Sequence, residues 1–185
     1  MYTNADCLSN KRDLLESFIC LNNIDIVAIV ETLPKNASDD STNMNFIIPG
    51  FKTITNNSGR GVCLFIRDNL DFNVHDDINN MFNPSIFTTI YSSKHEYFSL
   101  GVIYRSPNSS IDDVHKISQQ MSEACKRFHG VDNKLVIVGD LNFKNIDWSS
   151  ETCTIQPDVT FFNCVQENFL FQAVHEDTHF KPNCK

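Results

Sequence analysis

The sequence predicts an α/β sandwich built on mixed β-sheets and folded as a single domain. Turn residues between pairs of apolar segments predict two β-hairpins, one over 46–67 and one over 86–105. Apolar residues with helical spacing predict helices at 8–22, 111–128 and 158–169, which connect the strands. Because hairpins are mixed with crossover helices, we expect both antiparallel and parallel pairing, unlike the regular alternation of a doubly wound sheet.

The N-terminal third is predicted to contain a helix, a buried strand and the first hairpin. Leucine, phenylalanine and isoleucine residues recur with roughly helical spacing over 8–22, and the aliphatic run at 24–31 predicts a buried strand. Residues 35–45 are rich in asparagine, serine and aspartate, which is typical of a loop. The hairpin is expected to have strands at 46–55 and 62–67 and a turn at 56–61.

The remaining elements are a second hairpin, two helices and a strand between them. The hairpin strands are expected at 86–91 and 97–105, and the capping-box spacing of Ser110 and Asp113 predicts that a helix begins there. The aliphatic run at 135–138 predicts a fully buried strand. The buried face of the first helix is expected to comprise Ile111, Val114, Ile117, Met121, Ala124, Cys125 and Phe128. The last helix is expected to be capped by Asp158 and to bury Phe161, Phe162, Val165 and Phe169.

Composition bounds the class of protein. The chain has 185 residues, 41% of them hydrophobic. This is enough for one hydrophobic core but too little for two domains that each have a core of adequate size. No apolar run approaches the roughly 18 residues of a membrane span, and the first residues lack the pattern of a signal peptide. The seven cysteines are scattered without a Cys-x-x-Cys pair, which favours reduced thiols. We therefore expect a nuclear or cytoplasmic protein that is neither secreted nor bound in a membrane.

The net charge and the histidines limit the kinds of binding site. A net charge of -8 argues against a large basic surface, so contact with a polyanion is expected to be local, transient or supplied by a partner domain. His175 and His179 have i, i+4 spacing and Cys184 follows them. Because no fourth ligand has suitable spacing, we expect no zinc site.

Two buried strands end in polar residues that suit metal and phosphate chemistry. The run at 135–138 leads to Asp140 and Asn142, and the run at 26–30 leads to Glu31. A protein-bound Mg²⁺ is typically held by one or two carboxylates, with water and substrate in its other positions. Glu31 suits such a ligand, Asp140 could orient the attacking water, and Asn142 on the same side of an extended segment could donate to phosphate. An Asp-x-Asn pattern after a strand is also common turn chemistry, so these residues alone leave a structural role open.

The order of five motifs along residues 2–148 is more specific than any one of them. They are Tyr2-Thr3-Asn4-Ala5-Asp6 with Asn10-Lys11-Arg12; Asp25-Ile26-Val27-Ala28-Ile29-Val30-Glu31-Thr32; Gly59-Arg60-Gly61-Val62 with Ile66-Arg67; Leu100-Gly101-Val102-Ile103-Tyr104-Arg105-Ser106-Pro107-Asn108-Ser109; and Val136-Ile137-Val138-Gly139-Asp140-Leu141-Asn142 with Ile146-Asp147-Trp148. In this order they resemble the endonuclease/exonuclease/phosphatase superfamily, in particular the endonuclease domain of non-LTR (LINE-type) retrotransposons. The resemblance implies a DNase I-like fold, a four-layer α/β/β/α sandwich with two mixed β-sheets.

The resemblance also implies a magnesium-dependent DNA endonuclease that nicks a target strand to prime reverse transcription. Mg²⁺ is the implied cofactor, with Mn²⁺ as an alternative, and its implied ligands are Glu31 and Asn4. Asp140 would orient or deprotonate the attacking water, Asn142 would stabilise the transition state, and Tyr104 would act on the phosphate side. The implied partners are DNA and a reverse transcriptase domain encoded downstream. Thr178, Arg105 and Asn108 are the implied substrate-binding residues.

One family motif does not occur in the sequence. The family pattern ends in a Ser-Asp-His segment whose histidine lies on the scissile phosphate, and these 185 residues contain no such triplet. By this comparison we expect a single domain over 1–185 that is incomplete at both ends, with the last strands and part of the first strand missing. Two alternatives to an active endonuclease stay open, namely a non-catalytic retrotransposon remnant and a phosphatase of the same fold.

Overall fold

A computed structural model of the protein describes residues 1–36, 46–93, 95–128, 130 and 134–174. In this part of the chain no helix combines the length and apolarity needed to cross a membrane. The described elements in chain order are β1 (Tyr2–Asn4), α1 (Arg12–Leu21), β2 (Ile26–Val30), β3 (Phe51–Asn56), β4 (Val62–Arg67), β5 (Asp71–Val74), α2 (Asp76–Asn79), β6 (Ser85–Tyr91), β7 (Tyr97–Tyr104), α3 (Ile111–Phe128), β8 (Lys134–Asp140), β9 (Ile146–Asp147), β10 (Thr152–Cys153) and α4 (Asp158–Glu167).

The first sheet has the strand order β1-β2-β4-β3. β1 runs parallel to β2, with Asn4 opposite Val30, whereas β4 is antiparallel to both of its neighbours. The predicted first hairpin is confirmed, because Asn56 at the end of β3 lies opposite Val62 at the start of β4. β3 begins at Phe51 rather than at residue 46, so residues 46–50 of the predicted strand are not part of it.

The second sheet has the strand order β5-β6-β7-β8. β6 and β7 form the second predicted hairpin and pair antiparallel, with Ser85 opposite Ile103. α3 then crosses over the sheet, as a parallel connection requires, and returns the chain to β8. β8 pairs parallel with β7 and places Asp140 opposite Tyr104.

Both faces of each sheet are covered, which gives the four predicted layers. Successive side chains of a strand point to opposite faces, and in β4 Cys63 and Phe65 pack with Leu15 and Ile19 of α1. The alternate residues of β4 pack against β6 and β7 in the core between the sheets. α3 and α4 cover the outer face of the second sheet. The α/β/β/α sandwich with two four-stranded mixed sheets is therefore confirmed.

β8 is less buried than its aliphatic sequence predicts. Its residues are mostly half-buried and Val136 is 44% exposed. Among the described residues β8 is the outer strand of its sheet and pairs with β7 alone. Leu135 and Ile137 nevertheless pack against the core under α3 and α4. The prediction of a fully buried strand is wrong here, because a run of aliphatic residues does not distinguish a central strand from an outer one.

The start of α3 is as predicted and the start of α4 is not. The backbone N–H of Asp113 donates to Ser110 Oγ at 3.2 Å, and the N–H of Ser110 donates to the Asp113 carboxylate at 2.9 Å, which completes the capping box. At α4 the N-cap position is Pro157. The Asp158 carboxylate instead accepts from the backbone N–H of Asn145 at 2.9 Å, so it ties the helix to the loop after β8.

Three helix predictions need correction at their ends. α1 begins at Arg12 rather than at residue 8. Ile111 and Phe169 were expected to be buried but are 56% and 85% exposed. Ile111 is the first residue of α3, and Phe169 lies beyond the end of α4, so neither has a neighbouring turn that holds it against the core.

Candidate functional site

The carboxyl ends of four strands meet at one edge of the sandwich. β1 and β2 are parallel neighbours in the first sheet, and β7 and β8 are parallel neighbours in the second. Asn4 ends β1, Glu31 follows β2, Tyr104 ends β7 and Asp140 ends β8. Each sheet therefore contributes one pair of these predicted site residues to the same edge.

The side-chain amide of Asn4 bridges the two carboxylates. Its Nδ2 donates to Glu31 Oε1 at 3.0 Å and to Asp140 Oδ2 at 3.1 Å, so one amide joins the two sheets. Its Oδ1 accepts from the backbone N–H of Asp6 at 3.0 Å. A metal ligand has to present the amide oxygen, whereas here the nitrogen faces the carboxylates. Asn4 therefore positions the two carboxylates in this structure, and its predicted metal ligation stays a prediction.

Asp6 and Glu31, which contact Asn4, and Asn142, which follows β8, have left-handed backbone conformations. The φ angle is 41° at Asp6, 55° at Glu31 and 55° at Asn142. Such conformations cost about 1–3 kcal/mol each outside glycine, and they persist where the surrounding structure holds them. The Glu31 carbonyl is held by the N–H of Cys7 at 2.8 Å. The left-handed conformation of Glu31 thus ends β2 directly before the side chain that accepts the hydrogen bond from Asn4.

Two tyrosines lie beside the carboxylates in protonated form. Burial raises the pKa of Tyr104, and so does the negative charge of Glu31. Burial also raises the pKa of Tyr2, with further contributions from the charges of Asp140 and Glu31. Both phenols therefore remain neutral at physiological pH and can act as hydrogen-bond donors.

Arg105 holds the loop that follows Asp140. Its side chain is buried, and Nη1 donates to the carbonyl oxygens of Leu141 and Asn142 at 3.0 and 3.1 Å. Its backbone N–H donates to the Asp140 carbonyl at 2.9 Å. The guanidinium also lies over the Phe143 ring, 4.2 Å from its centroid. This side chain is enclosed by protein and supports the loop, and the predicted contact of Arg105 with substrate stays a prediction.

Asn142 leaves the extended path on which its prediction was based. β8 ends at Asp140, and the left-handed conformation of Asn142 turns the chain. Its Nδ2 donates to the Arg105 carbonyl at 2.8 Å. An amide nitrogen carries two hydrogens, so this bond leaves a second one for a substrate oxygen. The predicted role of Asn142 thus stays a prediction, with a different geometric basis.

Replacing Arg105 with methionine is expected to lower the free energy of unfolding by about 2–3 kcal/mol. Methionine keeps a long side chain over Phe143 but leaves the two partly buried carbonyls of Leu141 and Asn142 without their charged donor, and a hydrogen bond to a charged group contributes about 1.5–3 kcal/mol. Thermal or urea denaturation followed by circular dichroism measures the change. Arg12→Met is a matched control, because Arg12 lies on the surface of α1 in an ion pair with Glu16 and such pairs contribute about 0.3–0.5 kcal/mol. Equal small effects in both variants would contradict the support role of Arg105.

Sequence reasoning assigned no role to Arg60, yet its guanidinium lies in the site. Nη2 donates to Glu31 Oε2 at 2.5 Å and to Asp6 Oδ1 at 2.6 Å. The Arg60 and Glu31 side chains are 13% and 15% exposed, so the ion pair between them is largely shielded from water. The signal available in the sequence was the pair of glycines that flank Arg60. Glycines indicate a turn, but they do not indicate where the intervening side chain points.

The Glu31 carboxylate fits a hard divalent cation as a ligand, and the Asp140 carboxylate lies beside it. Mg²⁺ needs one or two carboxylates and keeps water or substrate at its other positions, and the Asn4 bridge holds two carboxylates side by side. Within the described ranges no group of three histidine, cysteine, aspartate or glutamate side chains is arranged to enclose a metal ion. The residues considered for zinc, namely His175, His179 and Cys184, lie outside the described residues.

Two predicted substrate-binding residues are not brought into this constellation. Asn108 lies exposed in the turn after β7, where its backbone N–H donates to Ser106 Oγ at 3.4 Å. Its contact with substrate stays a prediction. Thr178 lies outside the described residues.

Residues 98–185 match a family model described as Endonuclease-reverse transcriptase. The matched region runs from β7 onward and includes Tyr104, Arg105, Asp140 and Asn142. No curated protein sequence matches the chain.

Several solved structures share the fold at low sequence identity. The endonuclease domain of TRAS1, a telomere-specific non-LTR retrotransposon, has a TM-score of 0.66 and 13% identity, with 90% of this chain and 68% of that chain covered. The AP endonuclease LMAP from Leishmania major has a TM-score of 0.58 and 13% identity, with coverages of 90% and 65%. The 3′ phosphatase NExo from Neisseria, bound to product DNA hairpin, has a TM-score of 0.53 and 14% identity, with coverages of 90% and 69%.

At these identities the structural comparisons establish the fold, and the chain spans about two thirds of the length of the proteins compared. The same two-sheet sandwich was expected from the order of the sequence motifs. The chain therefore has a DNase I-like fold, and its residues 98–185 resemble the family described as Endonuclease-reverse transcriptase.

Proposed function

We propose that the protein is a divalent-metal-dependent phosphodiester hydrolase that nicks DNA. The observation that carries this proposal is the Asn4 amide, which holds Glu31 and Asp140 side by side across the two sheets. Two neighbouring carboxylates repel each other unless a cation or a proton compensates their charge. Arg60 offsets the charge of Glu31, whereas a divalent cation would offset the charge of both carboxylates and would also bind phosphate.

Glu31 would hold the cation, with Mg²⁺ as the expected ion and Mn²⁺ as an alternative. When bound, such an ion polarises the phosphoryl oxygen and stabilises the leaving oxygen. Asp140 would accept a proton from the attacking water, as a general base within hydrogen-bonding reach of it. Asn4 positions this carboxylate from one side, and Arg105 holds the backbone that carries it from the other.

Neutral donors would stabilise the charge that develops on the phosphate. The second amide hydrogen of Asn142 would donate to a non-bridging oxygen, and its position is set by the bond from Nδ2 to the Arg105 carbonyl. The Tyr104 hydroxyl remains protonated because burial and Glu31 raise its pKa. Donors that are already oriented in this way stabilise a transition state without reorganising during the reaction.

DNA is the proposed substrate, and the retrotransposon branch is the proposed origin. The TRAS1 endonuclease and the DNA-bound NExo share the fold, and the family model describes an endonuclease linked to reverse transcriptase. The net charge of -8 limits the affinity of this domain for DNA on its own. We therefore propose a reverse transcriptase domain encoded downstream as a partner, with action in the nucleus or cytoplasm.

A nicking assay on supercoiled plasmid tests the proposed reaction. We expect conversion to the open circle with Mg²⁺ and with Mn²⁺, and none when EDTA removes the metal. A DNA hairpin with a 3′ phosphate, assayed for released inorganic phosphate, tests the phosphatase alternative in the same buffers.

The results with the plasmid and with the hairpin distinguish the endonuclease, the phosphatase and the non-catalytic remnant. Plasmid nicking without phosphate release supports the endonuclease, whereas phosphate release without nicking supports a phosphatase of the same fold. A folded protein that processes neither substrate with any of these ions would contradict the proposal and support the non-catalytic remnant.

A further inference from the structure

We propose that Arg60 competes with the divalent cation for Glu31, and that it binds the phosphodiester group of the substrate once the cation has displaced it. The inference rests on the proposed metal site and adds a residue that couples cation binding to substrate binding. It starts from the ion pair between Arg60 and Glu31, which occupies one of the carboxylate oxygens that a cation would need.

The ion pair and a cation on Glu31 conflict electrostatically. Arg60 Nη2 lies 2.5 Å from Glu31 Oε2, and the pair is largely shielded from water. Charges a few ångströms apart interact much more strongly in such a place than in bulk water. A divalent ion bound to Glu31 would therefore be repelled by the guanidinium unless the Arg60 side chain moved away.

The backbone around Arg60 is held in place, so the exchange involves its side chain. The N–H of Leu33 donates to the Arg60 carbonyl at 2.9 Å, and the N–H of Thr32 donates to the Gly61 carbonyl at 3.4 Å. Gly61 has a φ of 71°, and a Cβ at this position would lie 3.1 Å from Leu33 Cγ. The turn between β3 and β4 is thus fitted against the two residues that follow Glu31.

The guanidinium has a second anchor and unused donors. Asp6 accepts from the same Nη2 at 2.6 Å and is 61% exposed, so it holds Arg60 at the solvent side of the site. Nε of Arg60 is buried and has no hydrogen-bond partner among the described residues. Arginine binds phosphate through two parallel N–H groups. A phosphate oxygen bound to the cation would take the place that Glu31 Oε2 occupies beside Arg60.

The expected consequence is positive coupling between cation and DNA. Without DNA, Arg60 lowers the affinity of the site at Glu31 for the cation, because it neutralises that carboxylate. With DNA, the phosphate accepts hydrogen bonds from Arg60, and Glu31 is then available to bind the cation. By thermodynamic linkage, each ligand then raises the affinity for the other.

Binding of Mn²⁺ alone, measured by calorimetry, tests the competition. We expect Arg60→Met to bind Mn²⁺ about tenfold more tightly than the wild type. Arg67→Met is the matched control, because Arg67 also forms a 2.5 Å ion pair, with Asp25, but at the opposite end of β4. It should bind Mn²⁺ with unchanged affinity. Arg60→Gln provides a second variant if Arg60→Met does not fold.

Binding of a short DNA duplex in saturating Mn²⁺ tests the second half of the proposal. An Asp140→Asn background prevents cleavage during the measurement. Adding Arg60→Met to it should weaken DNA binding about tenfold, since one phosphate contact is lost. Adding Arg67→Met should leave the affinity unchanged.

The outcomes distinguish this inference from the proposed function. If the wild type binds Mn²⁺ and neither Arg60 variant binds it more tightly, the competition is wrong while the metal site stands. If DNA binding is insensitive to Arg60→Met, the phosphate contact is wrong. If neither the wild type nor a folded Arg60 variant binds Mn²⁺, the metal site itself is wrong, and the inference fails with it.

Discussion

Asp140→Asn is expected to reduce DNA nicking about 1,000-fold while leaving the fold intact. Asparagine has nearly the same shape, and its amide oxygen can still accept from Asn4 Nδ2, which lies 3.1 Å from the carboxylate in the wild type. It cannot take a proton from water, and a positioned general base typically contributes about 100- to 10,000-fold to a rate. Initial rates of plasmid nicking at saturating Mg²⁺ measure the effect.

Asp68→Asn is the matched control for this substitution. Asp68 is exposed and directly follows β4, at the end of the first sheet away from Glu31. The same change in charge should leave the nicking rate within about twofold, since long-range effects of a surface charge are screened by salt. A similar loss in both variants would indicate a general charge effect and would argue against Asp140 as the base. Nicking that survives Asp140→Asn would remove Asp140 from the proposed mechanism.

Gly139→Ala is expected to destabilise the protein by about 3 kcal/mol, the upper end of the range for inserting a methyl group into packed structure. Gly139 lies opposite Ile103 in the parallel ladder of β7 and β8. A Cβ at this position would overlap the backbone carbonyl oxygen of Ile103. Backbone cannot rotate away as a side chain can, so β8 would have to move. We expect the melting temperature to fall by roughly 6–12 °C, from about 2–4 °C per kcal/mol in a domain of this size.

Gly130→Ala provides the comparison at a glycine where a Cβ would meet no atom of the described residues within 4 Å. The expected change is within about 0.5 kcal/mol. Because the adjacent residue is Asp140, Gly139→Ala should also lower the nicking rate of the protein that remains folded. If Gly139→Ala melts like the wild type, the close approach of β7 and β8 in this structure is incorrect.

Local sequence patterns predicted the two hairpins, the main helices and the position of both carboxylates. Hairpin turns and the capping box at Ser110 depend on neighbours a few residues apart, and their contacts agree with the prediction. Glu31 and Asp140 were predicted because each follows an aliphatic run, and both indeed lie at strand ends. The motif order added the four-layer architecture, which periodicity alone does not determine.

Long-range packing decided the features that the sequence did not reveal. Whether β8 is central or outer depends on what pairs with it, and its aliphatic run is compatible with either position. Arg105 was expected at the substrate, yet its donors go to the carbonyls of Leu141 and Asn142, which are 36 and 37 residues away in the chain. A contact between residues this far apart in the chain cannot be predicted from the pattern of neighbouring residues.

The sequence by itself therefore determined which strands carry the two carboxylates, because strand ends and turns are set by local chemistry. Only the tertiary structure decided how those carboxylates are held. Asn4 and Asp140 are separated by 136 residues, and Arg60 and Glu31 by 29. These pairs meet because the two sheets stack with their parallel strand ends at one edge, and that stacking follows from burial of the core between the sheets.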